Sequence, residues 1–475
     1  MGDPKGFMTV GRKEGGYRPV KERVYDFGEV EQTLNNEDRK LQASRCMDCG
    51  VPFCQWACPV GSKIPEWQDS LYHGNVEEAY SILHSTNSFP EITGRVCPAL
   101  CEKSCVLAIH EEAVTVRENE RATVENAFDS GFIKPNPPQT RTGKTVAVIG
   151  SGPAGLSAAD MLNRAGHQVT VFEKNNAIGG LLRYGIPDFK LNKTVIDRRL
   201  SLFKEEGITF KTNVLVGRDI TGEELLKDYD AIILALGVEQ PRDLAVEGRN
   251  LQGVHFAMDF LVQNNRRVAG EKIPADEIID AGGKHVLVIG GGDTGSDCVG
   301  TAIRQKAASV TQIEILPKPS KKRDEDNPWP YWPNVLRTTS SHEEGCERKW
   351  SLLTKRILGD NGVVKQVEVI GLEWTKPAAE QWKMNEKGRP KLLKADLVLL
   401  AMGFTQPVHR GLLDSLGVEY DARGNVKVNE TKQTSIEKVF AAGDVERGAS
   451  LVVHAIQEGK IAAAYVNDFL TKEQG

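Results

Sequence analysis

The hydrophobic positions of this chain change period as the chain proceeds. Up to residue 133, apolar residues recur at mixed three- and four-residue spacing. In IPEWQDSLYHGNVEEAYSILH (64–84) this predicts one amphipathic helix running through Gly74. The stretch KPNPPQTRTG (134–143) carries three prolines in ten residues, so no helix crosses it and it reads as a linker. Beyond it, short β-branched runs end in glycine-rich turns that lead into helical patterns, the texture of βαβ units.

The βαβ part repeats itself. KTVAVIGSGPAGLSAADML (144–162) matches KHVLVIGGGDTGSDCVGTA (284–302) at an offset of 140, aligning Gly150, Gly152 and Gly155 with Gly290, Gly292 and Gly295. DAIILALG (230–237) is echoed by ADLVLLAMG (395–403). The expected architecture is α/β. A helical domain (1–133) and the linker precede a dinucleotide-binding domain in two pieces (144–250 and 405–475), into which a second one (251–404) is inserted.

In each G-x-G-x-x-G loop the first glycine makes the turn and the second lets the backbone approach a pyrophosphate. The third allows close helix–strand packing, and the helix N-terminus favours phosphate charge. Pro153, Ala154, Asp293 and Thr294 fill the loops. Glu173 lies 23 residues after Gly150, the place of an acid that binds ribose hydroxyls, and Glu314 takes the corresponding place in the second unit. Two loops imply two dinucleotides, with a flavin and a nicotinamide the economical pair. The segment VFAAGDVERGASLVVHAIQEGKIAAAYVNDFL (439–470) reads as strand, glycine turn and amphipathic helix. It resembles the closing motif of the two-dinucleotide-binding flavoproteins, which implies that Asp444, after Gly443, binds a ribityl chain and that the helix N-terminus faces the flavin pyrimidine edge. Gly180, Leu181 and Gly237 complete the expected flavin-side set.

Seven of nine cysteines fall within 60 residues: Cys46, Cys49, Cys54, Cys58, Cys97, Cys101 and Cys105. In a reducing compartment such density points to metal, not to disulfides. The spacings are C-x2-C-x4-C-x3-C-P and C-P-x2-C-x3-C. Zinc usually takes four ligands in paired C-x2-C units or adds histidines, whereas Cys-Pro steps in a longer run favour iron–sulfur clusters. Seven thiolates leave two four-iron clusters one ligand short of eight. Cys298 sits in a helix without a C-x-x-C partner, so a redox-active dithiol is not expected there.

The 475 residues carry 60 Lys+Arg against 65 Asp+Glu, a net charge of −5, too balanced for a protein that lives on nucleic-acid phosphates. No apolar run reaches the roughly 18–20 residues of a membrane span, and the N-terminus lacks a signal-peptide segment. A cytoplasmic protein without nucleic-acid or membrane partners is expected.

CMDCGVPFCQWACPVGSKIPEWQD, FPEITGRVCPALCEKSCVLAI, VIGGGDTGSDCVGTAIRQ and NPWPYWPNVLRTTSSHEEG (327–345) together resemble the small (β) subunit of bacterial glutamate synthases over nearly the whole chain. The resemblance implies an NADPH-oxidising subunit with FAD. Its two 4Fe-4S clusters would pass electrons to a large (α) subunit carrying FMN and glutaminase, which makes glutamate from glutamine and 2-oxoglutarate. The cysteine pattern also resembles the N-terminal region of dihydropyrimidine dehydrogenase. That likeness implies Cys46, Cys49, Cys54 and Cys105 on one cluster, and Cys58, Cys97 and Cys101 with Glu120 on the other. Gly2, not cysteine, follows Met1, so no N-terminal glutaminase nucleophile is expected here. No acid–base residue is assigned either, because hydride transfer is expected to rest on positioned cofactors. A related flavin and iron–sulfur oxidoreductase subunit, of the electron-bifurcating ferredoxin:NADP or sulfide dehydrogenase type, is the alternative reading.

Cofactor preference receives conflicting signals. Glu314 would repel a 2′-phosphate, whereas PKPSKKR supplies Lys318, Lys321, Lys322 and Arg323 just afterwards. Lys318 and Arg323 are the expected phosphate ligands.

Overall fold

The computed structural model describes residues 2–375 and 382–472. The helical domain packs its helices around Trp67, which is fully buried and donates its indole N–H to Ser62 Oγ at 3.1 Å. The single helix expected over 64–84 is two helices, Ile64–Tyr72 and Val76–Thr86. The break falls at Gly74, whose φ of +84° is left-handed and ends the first helix, so apolar periodicity alone overran a glycine stop. The linker at 134–143 has no regular structure but is strapped down. Asn136 N–H donates to Glu206 at 2.9 Å, and Arg141 donates to the carbonyls of His167 and Glu206, each at 2.8 Å.

The first dinucleotide domain begins with β1 (Thr145–Ile149), β2 (Gln168–Phe172), β3 (Thr209–Lys211) and β4 (Ala231–Leu234). The chain then builds β5 (Val254–Phe256), β6 (His285–Ile289), β7 (Ser309–Ile313) and β8 (Glu347–Lys349). Next come β9 (Leu352–Asp360), β10 (Val363–Thr375), β11 (Lys383–Lys394) and β12 (Leu397–Leu400), before the chain returns to the first sheet with β13 (Val439–Ala441). The two parallel sheets have the orders β13-β4-β1-β2-β3 and β5-β12-β6-β7-β8, so the second domain is inserted into the first. Central strands are buried on both faces, as near-continuous Val/Ile/Leu runs such as VAVI and LVLL require. The antiparallel sheet β11-β10-β9 is an element that the sequence reading did not anticipate.

A strap formed by residues 17–30 ties the domains together. Val30 N–H donates to the Phe189 carbonyl of the first dinucleotide domain at 3.0 Å. Arg23, 2% exposed, donates to Glu344 at 2.7 Å and to the Ser340 carbonyl at 2.9 Å in the second. Across the opposite boundary, Arg199 is paired with the buried Glu91 of the helical domain at 2.7 and 3.0 Å. Among the described residues no helix is long and apolar enough to cross a membrane.

Candidate functional site

The two glycine loops superpose in their chemistry, contact by contact. Gly150 and Gly290 adopt φ of +106° and +126°, and each N–H bonds the last carbonyl of the neighbouring strand, Phe172 or Ile313, at 2.9 Å. A Cβ at Gly155 would stand 2.0 Å from the Gly150 carbonyl oxygen, and one at Gly295 would stand 2.3 Å from that of Gly290. These contacts show why only glycine serves there. Gly152 and Gly292 precede the helices Pro153–Arg164 and Asp293–Arg304, and a Cβ at either would meet nothing within 4 Å. Both helix N-termini therefore present N–H groups without a side chain in the way.

The acids at the ends of β2 and β7 occupy equivalent places. Glu173 N–H bonds the Lys211 carbonyl and Glu314 N–H bonds the Lys349 carbonyl, both at 2.9 Å. Glu173 is buried and turns onto its own loop, where Oε2 accepts from Ser151 Oγ and Oε1 accepts from Asn175 N–H and Nδ2 at 2.8 and 2.7 Å. Glu314 lies directly over Gly291. Burial raises its pKa from the ordinary carboxylate value, against the opposing pull of Arg348.

Around Glu314 the cations are arranged differently from the sequence expectation. Lys318 Nζ and the Arg348 guanidinium each lie 4.9 Å from the Trp350 ring centroid. Arg323 is committed elsewhere, donating to the carbonyls of Tyr331 at 2.6 Å and Lys103 at 2.9 Å. Its fork thus clamps the 327–333 segment to the helical domain. Arg348 was missed because it arrives on β8, 34 positions after Glu314.

The closing segment meets the first loop. A Cβ at Gly443 would lie 2.7 Å from Ala154 Cβ, and one at Gly459 would lie 2.2 Å from the Ala154 carbonyl oxygen. The final helix, Val452–Lys472, therefore lies close against Pro153–Arg164, and Ser157 Oγ donates to the Ile456 carbonyl at 2.9 Å. Asp444 accepts from Ser450 Oγ at 2.7 Å, and burial raises its pKa. A Cβ at Gly180 would touch Gly152 Cα at 2.9 Å, and the adjacent Leu181 is 46% exposed. Gly237 ends the run after β4 at φ +71°. The structure thus gathers Gly152, Gly155, Gly180, Gly443 and Asp444 around Ala154.

The cysteines separate into two sets. Cys46, Cys49, Cys54 and Cys105 line one cavity with Phe53, Ile64 and Leu107. Cys97 and Cys101 both have Cys58 and Glu120 within electrostatic reach, and Cys101 has Glu102 as well. Burial pushes the thiols of Cys46 and Cys97 up to about 12 and that of Cys58 up to about 11. Such thiols give up their protons only to a group that offsets the charge, which suits iron. Among the described residues no three His, Cys, Asp or Glu side chains converge on a single-ion position, as tetrahedral zinc would need. Thiols spread around a cavity fit a cluster better, since each binds a different iron. Glu120 accepts from Asn87 Nδ2 at 2.9 Å and from Thr93 Oγ1, and burial raises it to about 7. The remaining cysteines differ: Cys298 is fully buried in its helix and Cys346 is half-buried.

Over the first set lies the Trp/Pro segment of the second dinucleotide domain. Trp329 packs on Phe53 at 4.7 Å between centroids, Tyr331 meets Trp56 at 6.1 Å, and Ser104 Oγ donates to the Pro330 carbonyl at 2.6 Å.

The pyridine nucleotide-disulphide oxidoreductase family matches residues 144–459, and dihydropyrimidine dehydrogenase domain II, 4Fe-4S cluster, matches residues 23–132. The chain is 47% identical to the glutamate synthase [NADPH] small chain of Mycobacterium tuberculosis, over 99% of this chain and 96% of that one. It is 44% identical to the one of Bacillus subtilis, over 99% of each. Glutamate synthase [NADH] of Schizosaccharomyces pombe is also 44% identical over 98% of this chain, which spans only 22% of that longer protein. Among solved structures, Mycobacterium tuberculosis FprA in complex with NADPH shares the fold, with a TM-score of 0.56 and 19% identity over 70% of this chain and 86% of that one. With its cysteine sets and paired loops placed as described, the chain belongs to the glutamate synthase small-chain family.

Proposed function

We propose that the chain is the NADPH-oxidising small subunit of a cytoplasmic glutamate synthase. When bound, FAD would take a hydride from NADPH, and two 4Fe-4S clusters would hand the electrons singly to a large subunit carrying FMN and glutaminase. The observation that carries this reading is the joining of two complete dinucleotide loops to two separate cysteine sets in one folded chain.

The chain's own residues bind, orient and shield. Gly150, Gly152, Pro153, Ala154 and Gly155 would cradle the FAD pyrophosphate, with Glu173 holding the loop shut from below through Ser151. Asp444 would meet the ribityl chain, and Gly180, Leu181, Gly237 and Gly443 would border the ring. Gly290, Gly292, Asp293, Thr294 and Gly295 would take the NADPH pyrophosphate. Lys318 and Arg348, braced on Trp350, would hold the 2′-phosphate in the place expected of Arg323. Cys46, Cys49, Cys54 and Cys105 would hold one cluster. Cys58, Cys97, Cys101 and Glu120 would hold the other.

The test is to purify the chain alone and together with the family's large subunit. Alone it should reduce an artificial acceptor with NADPH but make no glutamate; with the large subunit it should make glutamate from glutamine and 2-oxoglutarate. Glutamate formed by the lone chain, or a complex that forms none with NADPH, would overturn the reading.

A further inference from the structure

Hydride transfer requires the two rings to meet at about 3–3.5 Å, and a misplacement near 1 Å costs about 100-fold in rate. The two dinucleotide domains must therefore be held in register, yet each nucleotide loop belongs to a different sheet. Where the domains meet, residues 187–193 of the first lie on helix Asp293–Arg304 of the second. Phe189 is fully buried, and a Cβ at Gly300 would stand 2.8 Å from its ring, so the contact tolerates no larger residue. The Arg304 guanidinium lies over that ring, 3.8 Å from its centroid.

Beside this contact lies an ion pair between Lys190 and Asp297, whose side chains are 21% and 10% exposed. Lys190 comes ten positions after Gly180, which touches the first loop, and Asp297 comes five after Gly292 of the second. The groups facing the pair are Ser296 Oγ, 3.5 Å from Lys190 Nζ, together with Asp293 and Tyr17; Lys193 and Asp188 pair alongside at 3.5 Å. A buried ion pair contributes little net stability compared with an apolar pair of equal volume, because desolvation offsets the attraction. What it does supply is direction, since the charges lose heavily if they slide apart. We propose that Lys190 and Asp297 are positioning residues that set the register between the flavin-side and nicotinamide-side domains. The proposal rests on the hydride-transfer reading given above.

The experiment compares the full chain with Lys190→Met, Asp297→Leu, the double variant, and Lys190→Arg. The double variant should retain its FAD and its thermal midpoint, and should bind NADP+ within about twofold of the parent. Its single-turnover flavin bleaching by saturating NADPH should fall about 10- to 100-fold, as a register error demands. Bleaching by dithionite should not change, and Lys190→Arg should recover most of the loss. Hydrogen exchange should rise in 187–193 and 293–304, with or without cofactor. Parent-like bleaching in the double variant, or a slowing that accompanies lost FAD and a lowered midpoint, would overturn the assignment. A parent that NADPH does not bleach would defeat the functional reading instead, and the exchange comparison would still decide the register.

Discussion

His342 is connected to the backbone of Gly290 through one intervening side chain. Its Nε2–H donates to Gln312 Oε1 at 2.9 Å, and Gln312 Nε2 donates to the Gly290 carbonyl at 2.8 Å. The tautomer follows from the other nitrogen, since Nδ1 accepts the Thr339 N–H at 3.1 Å. The first glycine of the second loop is thus held by a neutral imidazole.

That neutrality predicts a pH dependence. Burial, reinforced by Arg348 and Lys190, holds His342 down to about 4, against an ordinary value of 6.5. The unfolded chain then binds the proton more readily than the folded one. The contribution is present in full above pH 6.5 and is lost as pH falls towards 4, by up to about 1.4 kcal/mol per pH unit. Thermal unfolding between pH 7.5 and 4.5 should show a shallower acid decline in His342→Gln than in the parent; equal slopes would remove His342 from the account.

The glycine contacts predict different losses on the two sides. Gly155→Ala drives a methyl into the Gly150 carbonyl, so the chain should purify with little of its flavin. Gly295→Ala should keep the flavin and raise the KM for NADPH at least about tenfold, or 1.4 kcal/mol. Flavin absorbance and steady-state kinetics measure the two effects separately.

The proposed phosphate-binding role of Lys318 and Arg348 predicts a discrimination change. Arg348→Ala should weaken NADPH relative to NADH by about 10- to 150-fold in kcat/KM, the value of a charge-assisted bond near 1.5–3 kcal/mol. Arg323→Ala should leave that ratio alone, because its guanidinium serves the carbonyls of Tyr331 and Lys103. The reverse pattern would restore Arg323 to the phosphate.

Stability at the boundary between the helical and first dinucleotide domains should depend on Glu91. Removing it as Glu91→Ala leaves the Arg199 guanidinium buried without its anion, at a cost of about 3–5 kcal/mol. Denaturant unfolding followed by loss of cluster absorbance should show the shift, with Glu91→Gln intermediate.

The loops were legible in the sequence because close approach of backbone to backbone leaves glycine no substitute, and the requirement recurs at fixed intervals. The positions of both acids followed from their distance to those glycines, and that of Asp444 from the likeness of its segment to a flavoprotein closing motif. Contacts between residues remote in the chain were not legible: Lys190 with Asp297, Arg23 with Glu344, Arg348 beside Glu314. Strand β11 was missed for a different reason. Its sequence, KMNEKGRPKLLK, is polar on both faces because it lies at an exposed sheet edge, where Pro390 is tolerated and no apolar alternation is needed. The 64–84 helix failed because Gly74 was treated as tolerated, although a left-handed residue there ends the hydrogen-bond ladder.

The insertion of one domain in the other imposes an order on synthesis. All five strands of the nicotinamide-side sheet have left the ribosome once residue 400 emerges, whereas the flavin-side sheet still lacks its edge strand β13 and the helix that closes over Ala154. The nicotinamide-side domain can therefore fold as a finished body while its host stands open. On the proposed assignment of FAD to that sheet, flavin uptake would await the end of translation. A chain truncated before residue 439 would emerge with a complete nicotinamide-side sheet and a flavin-side sheet lacking β13 and its closing helix.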